Sequence, residues 1–217
     1  YAEGGRAAYL QAINGMRFGE SDTQGLTRGR NFYHPGLGMA ISAPPAWSIQ
    51  NLPDRLVIVN TPRDAALMLH SVPAQAGDSH SDIIRNLIKP VRGRTTPLVI
   101  NGLPATQFTG ARANTQGQVE SIEATIFSGP GNVRYILLWR ARDVAALERA
   151  RGAMQQARDT FRPMTAADSA DARPWVIRSV AFPRGGVAEL ARNSPLDDAQ
   201  AQLRLLNGVY GGSTPAP

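Results

Sequence analysis

The sequence predicts an α+β fold, in which one antiparallel sheet is flanked by two helices. Three observations predict it. Short apolar segments have a period of two residues, turn residues lie between them, and one amphipathic helical segment follows each of the two groups of such segments. The chain has 217 residues, of which 42% are hydrophobic and 18% charged. This composition excludes wholesale disorder and is sufficient for one core.

Two groups of predicted strands carry the period of two. The first group covers residues 37–43, 47–51, 55–60 and 65–72, and the second covers residues 98–101, 105–113, 119–127 and 133–139. The clearest alternation is that of Ile122, Ala124 and Ile126 with polar neighbours. Pro-containing turns after residues 51 and 60, and a Gly-Pro-Gly-Asn turn near residue 130, predict antiparallel meanders.

The helical segments show apolar residues at a spacing of three to four. After a capping box at Ser79 and Asp82, one face is formed by Ile83, Ile84, Leu87, Ile88 and Val91, and this helix is predicted to end near Pro90. The second stripe is Val144, Leu147, Ala150, Met154, Ala157 and Phe161, and it ends at Pro163.

Both ends of the chain are predicted to lie outside this sheet. Residues 6–13 form a helical pattern that Asn14 and Gly15 terminate. A linker at 165–171 precedes a strand at 175–180 and helices at 187–192 and 196–206, which together predict a small βαα lobe. The predicted organisation is therefore 1–30 as a helix and connecting loop from a preceding domain, 31–164 as the α+β domain, and 172–211 as the lobe. Because the chain begins at Tyr1, we expect it to be a piece of a longer protein.

Charge argues against a nucleic-acid partner. The net charge is +6, but the cations are scattered, and Lys89 is the only lysine. The densest group, Arg140-Ala141-Arg142 with residues 148–151, is interpreted as the solvated side of a helix. No apolar run approaches the ~20 residues that a membrane-spanning helix needs.

Reactive motifs are absent from the sequence. There is no Cys, which excludes a disulfide framework and a thiol nucleophile, and no G-x-S-x-G elbow or complete phosphate-binding loop occurs. The spacing of His34, His70 and His80 does not match the H-E-x-x-H zinc helix. The sequence therefore assigns no catalytic, cofactor-binding or metal-binding residue, although a site assembled in three dimensions from scattered histidines and carboxylates stays open.

Several polar and aromatic residues are assigned structural roles. His34 is interpreted as structural, His70 as partly buried and hydrogen-bonded, and His80 as exposed. Trp139 is predicted to lie in the core, whereas Trp47 either packs at an edge or offers an aromatic platform. The carboxylate pairs Glu120/Glu123 and Asp197/Asp198 are interpreted as solvated, the first with its members on opposite faces of a strand.

Several motifs, taken in order, resemble a known family. They are N-G-M-R-F-G at 14–19, Q-G at 24–25, N-F-Y-H-P at 31–35, I-S-A-P-P-A-W-S-I-Q-N at 41–51, T-F-R-P-M-T at 160–165, R-P at 173–174 and L-N-G at 206–208. This pattern is similar to the region that follows the catalytic domain in BepA-like and HtpX-like periplasmic zinc metallopeptidases. Residues 31–163 also resemble a PsbP-like sandwich, and the tail resembles a degenerate LysM repeat.

The resemblance implies a non-catalytic accessory region. It would position client proteins of envelope quality control, or anchor the parent enzyme, in the periplasm or envelope of a Gram-negative bacterium. Zinc would belong to the upstream peptidase domain, with no cofactor in this stretch. The tail has Gly185-Gly186-Val187 where a LysM repeat carries G-D-T, which argues against peptidoglycan as its partner. The alternative is a self-standing PsbP-like binding module that uses a sheet face or a helix–sheet groove for a small ligand or lipid.

Overall fold

The computed structural model describes residues 3–196 and 198–209. These residues form two compact units, one of residues Gly19–Pro174 and a smaller one of residues up to Phe18 and from Trp175 onward. The strands are β1 Arg17–Phe18, β2 Leu26–Arg28, β3 Asn31–His34, β4 Met39–Ser42, β5 Trp47–Leu52, β6 Arg55–Asn60, β7 Ala65–Ser71, β8 Pro90–Ile100, β9 Leu103–Ala113, β10 Val119–Ser128, β11 Arg134–Ala141, β12 Arg162–Pro163 and β13 Trp175–Val176. The helices are α1 Glu3–Ile13, α2 His80–Ile83 with a π-helical turn Ile84–Ile88, α3 Val144–Asp159, α4 Ala166–Asp171, α5 Gly186–Arg192 and α6 Ala199–Leu206.

A seven-stranded antiparallel sheet organises the larger unit. Its strand order is β5-β6-β7-β11-β10-β9-β8, so the two predicted meanders join where β7 pairs with β11. The α+β class is thus confirmed, with one helix packed on each face of this sheet. The alternation of β10 decides which residues meet which helix: Ile122, Ala124 and Ile126 face α2, and Phe127 faces α3.

Helix α3 covers one face of the sheet, which we call the α3 face. Asp143 begins the helix by accepting a hydrogen bond from the Ala146 N–H. The stripe predicted from the sequence is buried at Ala150, Met154 and Ala157 and packs on the inward residues of the central strands. Val144, at the start of the stripe, is 73% exposed, because it lies at the end of the helix.

Helix α2 covers the opposite face, the α2 face, and differs from its prediction. Ser79 caps the helix as expected, since its hydroxyl accepts a hydrogen bond from the Asp82 N–H. The helix ends at Ile88, because Lys89 adopts a left-handed conformation with φ 51°. Val91 therefore belongs to β8 and is 58% exposed, and Leu87 is 37% exposed, so both predictions of burial in the helix stripe were wrong.

Strand β8 is far longer than the predicted segment 98–101. Its exposed residues include arginines and threonines and lack an apolar alternation, so the sequence pattern gave no strand signal. Two glycines let it pair closely with β9: a Cβ on Gly93 or Gly110 would lie 2.4 or 2.6 Å from the Phe108 Cζ atom. The Phe108 ring thus covers both glycines.

A separate four-stranded sheet packs on the α3 face, in the order β12-β4-β3-β2. The predicted strand 37–43 is β4 in this sheet rather than part of the large one, and residues 31–34 form a strand that the sequence did not predict. Phe32, Met39 and Ile41 carry the contact with the main core. Beside this sheet, Thr165 and Asp168 form a capping box that begins α4, and Arg162 donates to Asp168 at 2.7 Å.

The smaller unit contains α1, a two-stranded pairing of β1 with β13, α5 and α6. Gly15 ends α1 with φ 85°, and its N–H donates to the Ile177 carbonyl oxygen at 2.8 Å. The order strand, helix, helix of the tail agrees with the sequence, although the strand is shorter and the last helix begins at Ala199. The LysM-like assignment and the module limits 1–30, 31–164 and 172–211 stay predictions.

We predict that Met154→Ala destabilises the larger unit by about 2–5 kcal/mol, because Met154 is fully buried and its loss leaves a cavity. Val144→Ala, on the same helix but exposed, is the matched control and should change the free energy of unfolding by less than about 0.5 kcal/mol. Urea unfolding of both variants measures the difference. Equal effects of the two substitutions would contradict the assigned core.

Candidate functional site

The three histidines occupy three different environments. His34 Nδ1 accepts a hydrogen bond from the Leu37 N–H at 3.2 Å, which confirms a structural role. His70 is half-buried in β7 and hydrogen-bonds to the backbone of Asp54, as predicted. His80 was wrongly predicted to be exposed: its Nδ1 lies 2.8 Å from Thr106 Oγ1 and its Nε2 lies 3.0 Å from Ser128 Oγ.

The carboxylate pairs also differ from their interpretation. Glu120 and Glu123 lie on opposite faces of β10, as predicted, but Glu123 is only 8% exposed. Arg151 binds both Glu123 oxygens, at 2.8 and 2.9 Å, so Glu123 is not solvated. Asp198 precedes α6, and Asp197 lies outside the described residues.

No group of three or more His, Asp or Glu side chains that could hold a metal ion occurs within residues 3–196 and 198–209. In the same part of the chain, no helix is long and apolar enough to cross a membrane. The remaining candidate sites in this part of the chain are the grooves and cavities of the larger unit.

A groove of about 250 Å³ runs between α2 and the α2 face of the sheet. We call it the α2 groove. Its walls are mainly aliphatic and come from the end of α2 and from the central strands: Pro73, Leu87, Ile88, Ile122, Ile136 and Leu138, with His70 and Arg112 as the polar members.

Arginines lie at the open side of this face. Arg112 donates to Glu120 at 2.8 Å. Arg140 is half-buried in β11, and within the described residues its side chain makes no hydrogen bond or ion pair. Burial lowers the pKa of Arg140, and the neighbouring Arg112 lowers it further. The earlier interpretation of Arg140 as part of a solvated helix was wrong, because it lies in a strand beside this groove.

A second cavity, of about 200 Å³, lies on the α3 face, between the four-stranded sheet and strands β6, β7 and β11. We call it the Tyr135 cavity. Tyr135 is 2% exposed, and within residues 3–196 and 198–209 its hydroxyl has no hydrogen-bond partner. Burial raises the pKa of Tyr135 to about 12, so the phenol stays protonated. A buried hydroxyl left without a partner costs about 1–3 kcal/mol.

A third groove, of about 870 Å³, lies beside α3. It is lined by charged residues that largely neutralise one another: Arg151 bonds to Glu123 and also to Glu148, at 2.9 Å. Trp139 lies at its floor as a core residue, 4% exposed, as predicted. Its acids are paired to arginines, but Arg140 also lines it, and Arg112 and Ile122 line both this groove and the α2 groove.

Comparison with known proteins adds structural similarity only. No protein-family model and no curated protein sequence matches the chain. Among solved structures, the chain is similar to cyanobacterial PsbP (CyanoP) from Synechocystis sp. PCC 6803, with 11% identity, a TM-score of 0.42, and coverage of 68% of this chain and 99% of that one. It is also similar to LpqN of Mycobacterium tuberculosis, a protein involved in cell envelope biogenesis, with 12% identity, a TM-score of 0.41 and coverage of 73% and 96%.

A third similar structure is PA94 of Pseudomonas aeruginosa, whose function is unknown, with 16% identity, a TM-score of 0.38 and coverage of 58% and 92%. One of the three is a PsbP protein, the class named by the sequence resemblance. Because every TM-score is below 0.5, the similarity carries no argument about ligand, partner or location.

The sequence missed the residues that distinguish these sites. Tyr135 and Arg140 lie in the segment around 133–141, where the only signal was an apolar run. The available signal was that a polar side chain stands near each end of this otherwise apolar strand. Buried polar groups need partners, so both side chains pointed to a special environment. Which of them lack a partner depends on neighbours distant in the chain.

The histidines predict a pH dependence of stability. Burial lowers the pKa of His34, His70 and His80 in the folded state. As the pH falls below about 6.5, the histidines of the unfolded chain therefore take up protons at a higher pH than those of the folded chain, which favours unfolding. The free energy of unfolding should be greatest above pH 7 and should decrease towards pH 5.5, in urea titrations at several pH values.

The carboxylates with a lowered pKa do not add to this change, because they are largely ionised above about pH 5 in both the folded and the unfolded state. His70→Gln removes one of the three groups, so its stability should depend less on pH between 7.5 and 5.5. A stability that is constant or rises as the pH falls through this window would refute the assignment.

Proposed function

We propose that this chain is a non-catalytic binding module whose α2 groove holds the aliphatic part of an anionic amphiphile. The observation that carries the proposal is an open aliphatic groove that continues, through Arg112 and Ile122, into the 870 Å³ groove lined by Arg140. Arg140 is a half-buried cation that makes no ion pair within the described residues. The proposal agrees with the alternative hypothesis from the sequence, a binding module that uses a helix–sheet groove for a small ligand or lipid.

The α2 groove leaves apolar side chains accessible to solvent. Leu87 is 37% exposed at the edge of the groove, and Leu138 is only half-buried on its floor. Covering apolar surface with an aliphatic chain is favourable by roughly 25 cal/mol per Å². Wider exposure continues along the α2 face, where Val57, Val59 and Met68 are also half-buried.

Positive charge accumulates at the open side of the groove. Arg112 and Arg140 are close enough that Arg112 lowers the pKa of Arg140. Glu120 neutralises one of the two cations, which leaves a net positive charge beside the groove. An anionic head group placed there would gain charge-assisted hydrogen bonds, whereas a cationic one would be repelled.

The metallopeptidase parent, the client-positioning role and the envelope location stay predictions from the sequence resemblance. They are compatible with a binding module, because an accessory region acts by holding something. The non-catalytic part of the proposal has its own test: the purified chain should not cleave casein with or without added Zn²⁺, and zinc-dependent cleavage would refute it.

Octanoate is the probe for the groove, measured by isothermal titration calorimetry. We expect octanoate to bind at least tenfold more tightly than octylammonium. Arg140→Gln should weaken octanoate binding about tenfold, since a hydrogen bond to a charged group contributes about 1.5–3 kcal/mol. Leu87→Gln should weaken octanoate and octylammonium by a similar, smaller factor, because it changes only the aliphatic wall.

Two matched controls separate the groove from general effects of charge and hydrophobicity. Arg94→Gln removes an arginine from β8, and Leu205→Gln removes an exposed helical leucine, 63% exposed, from α6 in the other unit. Both should bind octanoate as the unchanged protein does. Equal losses in the controls and in Arg140→Gln, or equal affinity for the two probes, would overturn the proposal.

A further inference from the structure

We propose that the Tyr135 cavity is a second, separate binding site, for a small apolar molecule that carries a carboxylate or carbonyl oxygen. Most of its lining lies on the face of the sheet opposite the α2 groove, and the two share only His70 and Ser71, at the end of β7. It therefore goes beyond the proposed function. Four observations support it: an unpartnered buried hydroxyl, a histidine with one free donor atom, the cavity's size, and its charge distribution.

The buried hydroxyl is exceptional in this core. Trp139 Nε1 donates to Thr125 Oγ1 at 3.3 Å, and Thr125 in turn donates to Gln107 Oε1 at 2.6 Å, so these buried polar atoms have partners. Tyr135, 2% exposed, has none. Its ring is fixed by an edge contact with Phe161, with centroids 5.3 Å apart, and by Gly129, where a Cβ would lie 2.3 Å from the Tyr135 Cε2 atom. A ligand oxygen supplies the missing partner.

His34 adds a donor to the same cavity. Its Nδ1 atom accepts the Leu37 N–H, so the neutral ring carries its proton on Nε2. Burial lowers the pKa of His34, which keeps the ring neutral at physiological pH. Both Tyr135 and His34 therefore have a hydrogen to donate, and an acceptor oxygen matches them.

The volume fits a molecule with one ring. An apolar cavity of about 150 Å³ is sufficient for benzene, and this cavity has about 200 Å³. Its walls combine apolar side chains, from Phe32, Leu37, Met39, Leu56 and Leu69, with polar ones. A purely polar ligand would leave the apolar part of the walls without partners, so the ligand needs an apolar body beside its oxygen.

The charges at the cavity favour an acceptor over a cation. Arg55 and Asp54 both line it and lie 3.6 Å apart. The Arg55 side chain is 37% exposed and that of Asp54 is 65% exposed, so the cation is the more buried of the two. A carboxylate entering the cavity meets the guanidinium and the two neutral donors.

Benzoate, benzamide and benzylamine are the probes, because they share one ring and differ in the polar group. In saturation-transfer NMR with calorimetry, we expect benzoate and benzamide to bind and benzylamine to bind at least tenfold more weakly. Tyr135→Phe should weaken benzoate binding at least tenfold. Its melting temperature without ligand should equal or exceed that of the unchanged protein, because it removes a buried hydroxyl that has no partner.

His34→Asn tests the second donor without removing the turn. The Asn side-chain oxygen can still accept the Leu37 N–H, whereas the Nε2 donor is lost. Benzoate binding should fall by a similar factor. Tyr33→Phe is the matched control, since Tyr33 is also 2% exposed but lies in a different cluster, and it should leave benzoate binding within twofold.

Three results would overturn this site. They are unchanged benzoate affinity in Tyr135→Phe, benzylamine binding as tight as benzoate, and no binding of benzoate to the folded protein, in which case the cavity holds water only. Arg140→Gln and Leu87→Gln should not change benzoate affinity. Failure of the α2 groove and failure of the Tyr135 cavity are therefore distinguishable.

Discussion

The burial of both faces of the central strand pair, β10 and β11, is the constraint on which the rest of the larger unit depends. These strands have apolar residues at consecutive positions, so a cover is required on each side. Helix α3 has 16 residues and a length of about 24 Å, whereas α2 with its π turn covers only residues 80–88, or about 13 Å. Seven strands at about 4.8 Å spacing span roughly 29 Å. Helix α2 is thus too short to cover its face, and the α2 groove and the open half over β5–β7 follow from this shortage.

On the α3 face, a different mismatch creates the Tyr135 cavity. Helix α3 covers one part of this face and the four-stranded sheet covers another. The inward residues of β3 and β4 contact the core only beneath the four-stranded sheet. Where the two covers meet strands β6, β7 and β11, space remains beside Tyr135. Polar residues in the middle of the core found partners within the sheet, as Thr125 and Gln107 did. Tyr135 lies at the end of its strand, and no neighbouring strand brings an acceptor to its hydroxyl.

Local patterns predicted much of the fold but little of either site. The alternation of β10, the stripe of α3 and the caps at Ser79 and Asp143 were all visible, because each depends on residues within one turn or strand. Strand β8 was missed, since its stability comes from pairing with β9 and not from its own apolar residues. The assignment of residues 39–42 to a second sheet was missed because strand periodicity does not say which sheet a strand joins. Glu123 and Arg140 were misjudged for the same reason: whether a charge is paired depends on residues far away in the chain.

The two sites are tied to one register. Tyr135 and Ile136 are adjacent on β11 and point to opposite faces, so the first lines the cavity and the second lines the groove. A slip of β11 by one residue would exchange them and would bury Arg134 and Arg140 in the α3 core. The pairing of Trp139 with Glu123 and of Tyr135 with Ser71 holds the register against that slip. The Trp139 indole N–H reaches the Thr125 hydroxyl only in this register. That hydrogen bond therefore also fixes the position of the Tyr135 hydroxyl, near the start of the same strand.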